Sequence, residues 1–468
     1  MSRVWAVARL MISEGVRMKI ALVFLMLIGA VVVGLPFSIK GDGSLTGAVQ
    51  SFMQYGLSAT GLLLGLLTIL MARSLSDEVA NRQILMVMTK PIPRWQFLLG
   101  KWLGMTLLNA AFLICSGATI YGMVHYIKRT HPPLDPRLDE GELNNEVLVA
   151  RHASKAMLPD FGADVELEFD RNVEEGAYAN VPDFDPAREK LRLLRKHEAR
   201  WRIVGPMNDR VFEFQNVLCD RSPGHFIQLR YRTQVTRYAP DEIFRALWQV
   251  GDARSGTPVY RIPVRHVIDR WHTVRIRSDA VAADGSLQVI FRNRNPFEDE
   301  RQWPNVMEFR ADHPLEVMFV VGTFEWNLVR LLVLVQCKLM FLAAVSLLAV
   351  TVFSFPVACL TSLTMYVLAG TRAFIMEALN FESVNRASMF SSVKEFFLQS
   401  LMHAYMAICW VIPDFGRYDA VEDLVNGRNV GLVWVLQGMS ELALVKTAIL
   451  LGLAMLLFQR REVAEASF

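Results

Sequence analysis

The chain has 468 residues, of which 53% are hydrophobic and 20% are charged, and its formal net charge is +3 at pH 7. Its mean hydropathy of +0.28 is high for a soluble chain of this length, so strongly apolar blocks must alternate with ordinary polar sequence. These figures exclude a disordered protein, a disulfide-stapled miniprotein and a plain cytosolic enzyme, and the near-neutral charge argues against a dedicated nucleic-acid binder.

The first predicted element is an amphipathic helix from Val4 to Met18, in which apolar and basic residues mix. This pattern is typical of a helix on the cytoplasmic surface of a membrane. The uncharged run Ile20–Phe37 follows, and at ~1.5 Å per residue it crosses most of a ~30 Å hydrocarbon core. A secretory signal is the competing interpretation, but the long charged leader and the lack of a clear cleavage site favour an uncleaved helix.

Two further apolar runs, from about Tyr55 to Ala72 and from Trp102 to Tyr126, are each long enough to span a membrane. The loop 73–101 between them carries more basic than acidic residues, so the positive-inside rule places it in the cytoplasm with the amino terminus. Residues 1–126 thus form an N-terminal membrane part. The pattern Gly61-x-x-x-Gly65 in the second run indicates either a dimer contact or packing within the chain.

Residues 127–325 form a polar block without an apolar run long enough to span, and parity places this block outside the cytoplasm. Its second half alternates apolar and polar residues in short runs, which predicts a mostly-β domain, a sandwich or jelly roll. Residues 283–285, Ala-Asp-Gly, predict a turn between the last two runs. The runs are 211–215, 225–232, 272–277 and 286–293.

Residues 326–468 form a C-terminal membrane part. The apolar stretch 328–368 is too long for one span and fits two, with Pro356 near a tight cytoplasmic turn. The weaker run 396–412 is predicted to be re-entrant or interfacial, and 442–458 is the last span, followed by basic residues at 460 and 461. The fold class is therefore an α-helical polytopic membrane protein of about six spans, with both termini cytoplasmic and an inserted mostly-β extracytoplasmic domain.

The cytoplasmic loop 73–101 is predicted to contain a short amphipathic helix. Ile84, Leu85 and Met88 fall on one face of this helix and could fill a groove on a partner protein. Pro91 and Pro93 lack a backbone donor and restrict the residue before them, so they end the helix and turn the chain back toward the bilayer. An ordinary surface helix with its apolar side on lipid headgroups is the alternative.

Residues 76–101 place an acidic residue, a short amphipathic helix, a Pro-x-x-Arg turn and a Gly-Lys pair in that order. This order resembles the loop of ABC-2-type transporter permease subunits in which the coupling helix docks on the ATPase. The amino-terminal Glu-x-x-Arg at 14–17 resembles the interfacial connecting helix of that family, and residues 458–463 resemble its ending after the sixth span. The resemblance assigns coupling to Glu78, Arg82, Ile84, Leu85, Met88, Pro91, Arg94 and Lys101, and the interfacial helix to Glu14 and Arg17.

The resemblance implies a transport subunit rather than an enzyme, an exporter of the inner (plasma) membrane. It would pair with a second permease copy, as a homo- or heterodimer in the lipid bilayer, and with a cytoplasmic ABC ATPase. No Walker A motif occurs in the chain, so ATP and Mg²⁺ are expected on that partner and no cofactor on this chain. Many family members have only a short loop where this chain has residues 127–325, so the cargo stays open.

Two other functions are alternatives. A membrane-anchored sensor or scaffold would use its β domain to bind a ligand or a protein, and a membrane enzyme is least supported because no catalytic motif is found. The five cysteines and the histidines of the polar block lack the spacing of metal ligands, which predicts neither a metal site nor a disulfide framework. Trp248, Tyr260, Trp271 and Trp303 are predicted to be core residues or a platform for ligand stacking.

Overall fold

A computed structural model describes residues 3–17, 19–38, 43–80, 93–130, 136–178, 184–222, 224–235, 242–297, 305–310, 315–385 and 412–460. The chain divides into two compact units. Met1–Ala150 and Gly322–Phe468 form the helical unit, and Arg151–Val321 forms the β unit. Residues 136–150, which belong to the predicted polar block, are part of the helical unit.

The helices follow the apolar and amphipathic runs of the sequence. In the helical unit they are α1 (Arg3–Arg17), α2 (Ile20–Ser38), α3 (Leu45–Met71), α4 (Arg73–Ala80), α5 (Arg94–Thr130), α6 (Pro136–Glu142), a π-helical turn (Leu143–Val147), α9 (Phe324–Val352), α10 (Phe355–Asn385), α11 (Val421–Val425), α12 (Leu432–Gly438), a π-helical stretch (Met439–Lys446) and α13 (Thr447–Arg460). The β unit contains α7 (Gly162–Glu174), α8 (Pro186–Trp201) and 3₁₀ turns at Ala253–Ser255 and Ser278–Ala280.

Five helical segments of the described residues are long and apolar enough to cross a membrane, which confirms the prediction of a helical membrane protein. The stretch 328–368 forms α9 and α10 on either side of a break at Phe353 and Ser354, just before Pro356. The predicted re-entrant segment 396–412 lies outside the described residues except for Ile412. The five segments are Ile20–Ser38, Leu45–Glu78, Arg94–Thr130, Phe324–Val352 and Leu432–Arg460.

Asp139 on α6 caps the amino terminus of α3 from 93 residues away in the sequence. Its Oδ2 accepts a hydrogen bond from the Leu45 amide at 2.8 Å, and its Oδ1 accepts bonds from the Thr46 amide at 3.1 Å and the Thr46 hydroxyl at 2.9 Å. The carboxylate is buried and faces the positive end of the helix dipole. Two of the amide groups that α3 leaves unpaired at its start are thus satisfied by a remote side chain, and a third, that of Gly47, donates to Ser44 Oγ at 2.9 Å.

Replacing Asp139 by alanine is expected to lower the free energy of unfolding of the helical unit by about 1–3 kcal/mol, because buried amide donors lose their acceptor. Asp139→Asn should cost less, since an amide oxygen can still accept at the same place. Thermal unfolding of the purified protein in detergent measures both effects. Equal stability of the alanine variant and the wild type would contradict this capping role.

The β unit is built from eleven strands in its described part, and this β-rich region confirms the prediction for the polar block. One sheet has the order β1-β11-β4-β8, a second has the order β3-β9-β6-β7, and a small third sheet has the order β2-β10-β5. The strands are β1 (Val149–Lys155), β2 (Ile203–Val204), β3 (Asp209–Phe214), β4 (Phe226–Tyr231), β5 (Thr233–Val235), β6 (Ile243–Val250), β7 (Tyr260–Val267), β8 (His272–Arg277), β9 (Leu287–Arg292), β10 (Met307–Phe309) and β11 (Glu316–Thr323).

The core of the β unit forms where the two larger sheets supply alternate residues, as period-2 strands require. Tyr231 of β4 and Trp248 of β6 belong to different sheets, are both fully buried, and place their ring centroids 4.9 Å apart. Phe291 of β9 packs on Trp248 with a centroid distance of 4.8 Å. The aromatic rings therefore join the two sheets into one hydrophobic core.

The predicted turn at residues 283–285 is present, but its neighbouring strands do not pair with each other. Asp284 Oδ1 accepts hydrogen bonds from the amide and the hydroxyl of Ser286, and Gly285 has a φ of +79°, which favours glycine. However, β8 pairs with β4, whereas β9 pairs with β3 and β6. The turn thus carries the chain from one sheet to the other and does not close a hairpin.

Candidate functional site

Three helices of the helical unit bring three polar side chains together around Lys101. The Lys101 ammonium donates hydrogen bonds to Glu14 Oε2, Ser74 Oγ and Glu78 Oε1, each at 2.8 Å. The Ser74 hydroxyl donates in turn to Glu14 Oε2 at 2.7 Å. Glu14 lies on α1, Ser74 and Glu78 lie on α4, and Lys101 lies on α5. We call these four residues the Lys101 cluster.

The Lys101 cluster is buried at two of its charged members and half-buried at the third. Lys101 is 0% exposed and Glu78 is 8% exposed, whereas the Glu14 side chain is 29% exposed. All three donors of the ammonium are used, two carboxyl groups face this one cation, and Glu78 Oε2 has no hydrogen-bond partner among the described residues. Burial raises the pKa of Glu14, but the charge of Lys101 and its hydrogen bond outweigh burial and hold that pKa below its usual value.

Two glycines of α5 allow α1 to approach closely enough for the cluster to form. A Cβ atom at Gly100 would lie 2.6 Å from Val7 Cβ, and one at Gly104 would lie 2.6 Å from Met11 Cβ. Since real Cβ atoms do not come so near each other, only glycine admits this packing. Gly100 therefore lets α1 approach α5, and the neighbouring Lys101 reaches Glu14 on α1.

Arg94 links the start of α5 to the end of the last helix. Its Nη1 donates to the carbonyl oxygens of Phe458 at 3.1 Å and Gln459 at 2.9 Å, in the last turn of α13. A cation at this position satisfies carbonyl groups that the helix leaves unpaired and interacts favourably with the helix dipole. The rings of Phe97 and Phe458 stack beside it with centroids 6.4 Å apart.

The structure thus locates five of the residues that the sequence assigns to coupling or to the interfacial helix. It brings Glu14, Glu78 and Lys101 together, bonds Arg94 to the end of the last helix, and leaves Arg17 exposed in the last turn of α1. The others lie outside the described residues: Arg82, Ile84, Leu85, Met88 and Pro91.

Ser74 is a member of the Lys101 cluster that the sequence reasoning missed. A hydroxyl in a short polar helix carries no signal of burial, so the sequence offered no means of finding it. Lys101 was named only through the resemblance, and a lysine at the end of an apolar run can equally reach the membrane surface. Which partner it has is decided by the packing of α1 and α4 against α5.

In the Gly61-x-x-x-Gly65 pattern of the second apolar run, Gly65 lies at a close contact between two helices of the same chain. A Cβ atom at Gly65 would lie 2.9 Å from Cζ of Tyr366 on α10. The Tyr366 hydroxyl also donates to the carbonyl oxygen of Gly61 at 3.4 Å. Of the two interpretations of Gly61-x-x-x-Gly65, these contacts favour close packing of α3 against α10.

In the β unit, the fold stacks two histidines that are dispersed in the sequence. The rings of His266 and His272 lie 4.2 Å apart with an interplanar angle of 16°. The Tyr231 hydroxyl and His266 Nδ1 share a hydrogen bond of 2.7 Å, and burial, followed by the charge of His272, lowers the pKa of His266 to about 4. Among the described residues, no group of three or more His, Cys, Asp or Glu side chains is placed to hold a metal ion.

The β unit should therefore lose stability as the pH falls from 6.5 towards 4. In this range unfolded chains protonate His266, whereas the folded unit keeps it neutral, so acid favours unfolding. Because the partly exposed ring is screened by solvent, the loss should be on the order of 2 kcal/mol. Thermal unfolding between pH 7.5 and 4.5 measures this loss, and His266→Gln should flatten the profile; identical profiles would contradict the assignment.

The aromatic residues proposed for ligand stacking differ in their surroundings. Trp248 is fully buried in the core, and the Tyr260 hydroxyl donates to Asp279 Oδ1 at 2.8 Å. Trp271 keeps exposed surface and carries the Arg230 guanidinium 4.3 Å from its ring centroid. Trp303 lies outside the described residues.

Comparison of the chain with models of known protein families found no match, and comparison with curated proteins found no significant match. The features from which a function can be inferred are therefore those of the chain itself. They are the apolar helices, the Lys101 cluster, and the attachment of Arg94 to the last helix.

Proposed function

We propose that this chain is the transmembrane permease subunit of an ABC-2-type, ATP-driven exporter. A separate ATPase docks on the loop between the second and third spans, residues 73–101, and a second permease copy completes the transporter in the bilayer. ATP and Mg²⁺ bind the ATPase. The alternative, a membrane-anchored sensor or scaffold, predicts no physical link to an ATPase.

The observation that carries the proposal is the anchoring of both flanks of loop 73–101. On one side, Glu78 and Ser74 are held by Lys101, which also holds Glu14 of the amphipathic helix α1. On the other side, Arg94 is bonded to the end of α13. A force applied to the loop would therefore reach α1, α5 and the last helix together, as a coupling element requires.

The Lys101 cluster is suited to passing on such a force, because breaking it is costly. Removing one partner of a buried ion pair costs about 3–5 kcal/mol, since a charge is left buried without compensation. The helices α1, α4 and α5 would therefore move as one body when ATP closes the ATPase. In this mechanism the cluster positions the helices, and the predicted apolar face Ile84, Leu85 and Met88 makes the contact with the partner.

The proposed topology has six spans, with α10 as the additional one and both termini in the cytoplasm of an inner (plasma) membrane. The basic excess of loop 73–101 supports this orientation. The β unit would then lie outside, and its two four-stranded sheets, in the orders β1-β11-β4-β8 and β3-β9-β6-β7, support a jelly roll. Labelling of single cysteines introduced at Ser76 and Ser255 tests the topology, which requires opposite sides of the membrane.

Co-purification tests whether this chain binds an ATPase through loop 73–101. A chain with a Walker A motif in the adjacent reading frame would be the candidate ATPase. This chain is expressed with that candidate and pulled down from detergent extracts, and wild type is expected to retain it. Ile84→Asp with Met88→Asp should lose it, because charges would enter an apolar contact. Arg73→Gln is the matched control, since Arg73 lies in the same loop and its ion pair with Asp77 is exposed. Equal retention by all three proteins would contradict a contact through Ile84 and Met88, and no retention by wild type would support the scaffold alternative.

A further inference from the structure

A groove runs along the helical unit between α5 and α9. Its volume is about 580 Å³ and its walls are almost entirely apolar, formed by side chains such as Ile114 and Ala118 on α5 and Val329 and Leu332 on α9. The two helices touch at its floor, where a Cβ atom at Gly117 would lie 2.6 Å from Leu332 Cδ1. The groove is therefore open along its length but closed underneath.

The depth of the groove matches one leaflet of a bilayer. It extends along α9 from Glu325 to Gln336, which are ~16 Å apart at ~1.5 Å per residue, close to half of a ~30 Å hydrocarbon core. Beside Glu325 and Tyr121, the rings of Trp326 and Tyr126 are exposed, as is typical of side chains at the membrane–water interface. The polar end thus lies at headgroup level, and the other end lies near the middle of the bilayer.

The walls of the groove suit a single extended hydrocarbon chain, because they are apolar over about the length of one leaflet. A helix of a second copy would also bury these walls, and crosslinking distinguishes that helix from a lipid.

The carboxylate of Glu325, at the mouth of the groove, can accept hydrogen bonds. Glu325 lies in the first turn of α9, and the Tyr121 hydroxyl donates to its Oε1 at the long distance of 3.4 Å. The His125 ring contacts Tyr121 with ring centroids 4.5 Å apart and an interplanar angle of 45°. An ionised carboxylate can only accept hydrogen bonds, so it favours a headgroup with N–H donors and disfavours an anionic one.

We propose that this groove is a lipid site: it holds one acyl chain of a phospholipid whose primary ammonium headgroup donates hydrogen bonds to Glu325. Phosphatidylethanolamine has this chemistry. Phosphatidylcholine lacks the N–H donors, and phosphatidylglycerol lacks the cation. The site does not depend on the proposed coupling to an ATPase, so either proposal can fail alone.

Photo-crosslinking in vesicles tests the site. The full chain is reconstituted with phosphatidylethanolamine carrying a photoreactive group on one acyl chain, and crosslinked peptides are identified by mass spectrometry. Labelling is expected on α5 and α9 around Ile114 and Val329. Unlabelled phosphatidylethanolamine should compete about tenfold better than phosphatidylcholine, the preference that one hydrogen bond to a charged group gives.

Variants separate this site from general lipid contact. Glu325→Gln should remove the preference for phosphatidylethanolamine and keep the labelling, whereas Ala118→Trp and Val329→Trp, on opposite walls, should each fill the groove and abolish labelling. Leu360→Trp, on the exposed face of α10, is the matched control and should label like wild type. Equal competition by all three lipids, unchanged labelling in both tryptophan variants, or crosslinks only to a second copy would overturn the proposal.

Discussion

Replacing Lys101 by methionine is expected to lower the free energy of unfolding of the helical unit by about 3–5 kcal/mol. Methionine fills much the same space, but the carboxyl groups of Glu14 and Glu78 would then face each other without a cation, and that of Glu78 is buried. Unfolding of the purified protein by heat or by denaturing detergent measures the loss. A variant that fails to accumulate in the membrane would be the extreme form of the same result.

The rescue of this variant tests whether charge, rather than shape, is the cause. Adding Glu14→Gln and Glu78→Gln to Lys101→Met removes all three charges, and most of the lost stability should return because no carboxylate is left uncompensated. Arg73→Gln should change stability by less than about 1 kcal/mol, since its ion pair with Asp77 is exposed. Equal losses in Lys101→Met and Arg73→Gln would refute the account of the cluster.

The second large effect is expected in the β unit, where Trp248→Ala should cost about 3–5 kcal/mol. Trp248 is fully buried and contacts Tyr231 and Phe291, so its removal opens a cavity where the two sheets meet. Hydrogen exchange read on the peptides of β4, β6 and β9 measures the loss in the intact chain. Protection of these strands should fall together because they share one core.

Trp271→Ala is the control for this experiment. Trp271 is a residue of the same type and the same unit, but its ring is partly exposed and packs on the Arg230 guanidinium. Exposed cation–π contacts contribute roughly 0.5–1 kcal/mol, so this substitution should be several times milder. If both variants lost equal protection, the assignment of Trp248 to the central core would be wrong.

The apolar runs predicted the membrane helices well, because length and hydropathy are local properties. Ile20–Phe37 became α2 almost to the residue, and the long stretch 328–368 divided beside Pro356 as its length required. Strands with clear alternation, such as 272–277, were also found at their predicted places. By contrast, β6 alternates equally well but was not among the predicted strands.

Pairings that join distant parts of the chain could not be predicted. The structure pairs Lys101 with Glu78, 23 positions away, and with Glu14, 87 positions away. Asp139 reaches α3 across 93 positions and has no local signature. Such contacts depend on how whole helices pack, which apolar periodicity alone does not determine.

The same reason explains the outcome in the β unit. His266 and His272 are six residues apart and do not show the spacing of metal ligands. Their rings nevertheless stack, because the fold brings β7 and the start of β8 together. Residues 283–285 signalled a turn correctly, but local sequence could not show that this turn links two sheets. A turn is determined by a few neighbouring residues, whereas strand pairing depends on the whole domain.

The rate of ATP hydrolysis tests the central claim most directly. The candidate ATPase, a chain with a Walker A motif sought in the adjacent reading frame, is assayed in vesicles without this chain, with wild type, and with Ile84→Asp plus Met88→Asp. Wild type is predicted to raise the rate, the double variant to leave it at the level of the ATPase alone, and Arg73→Gln to behave as wild type. An ATPase whose rate is the same with and without this chain would contradict a coupling role for loop 73–101.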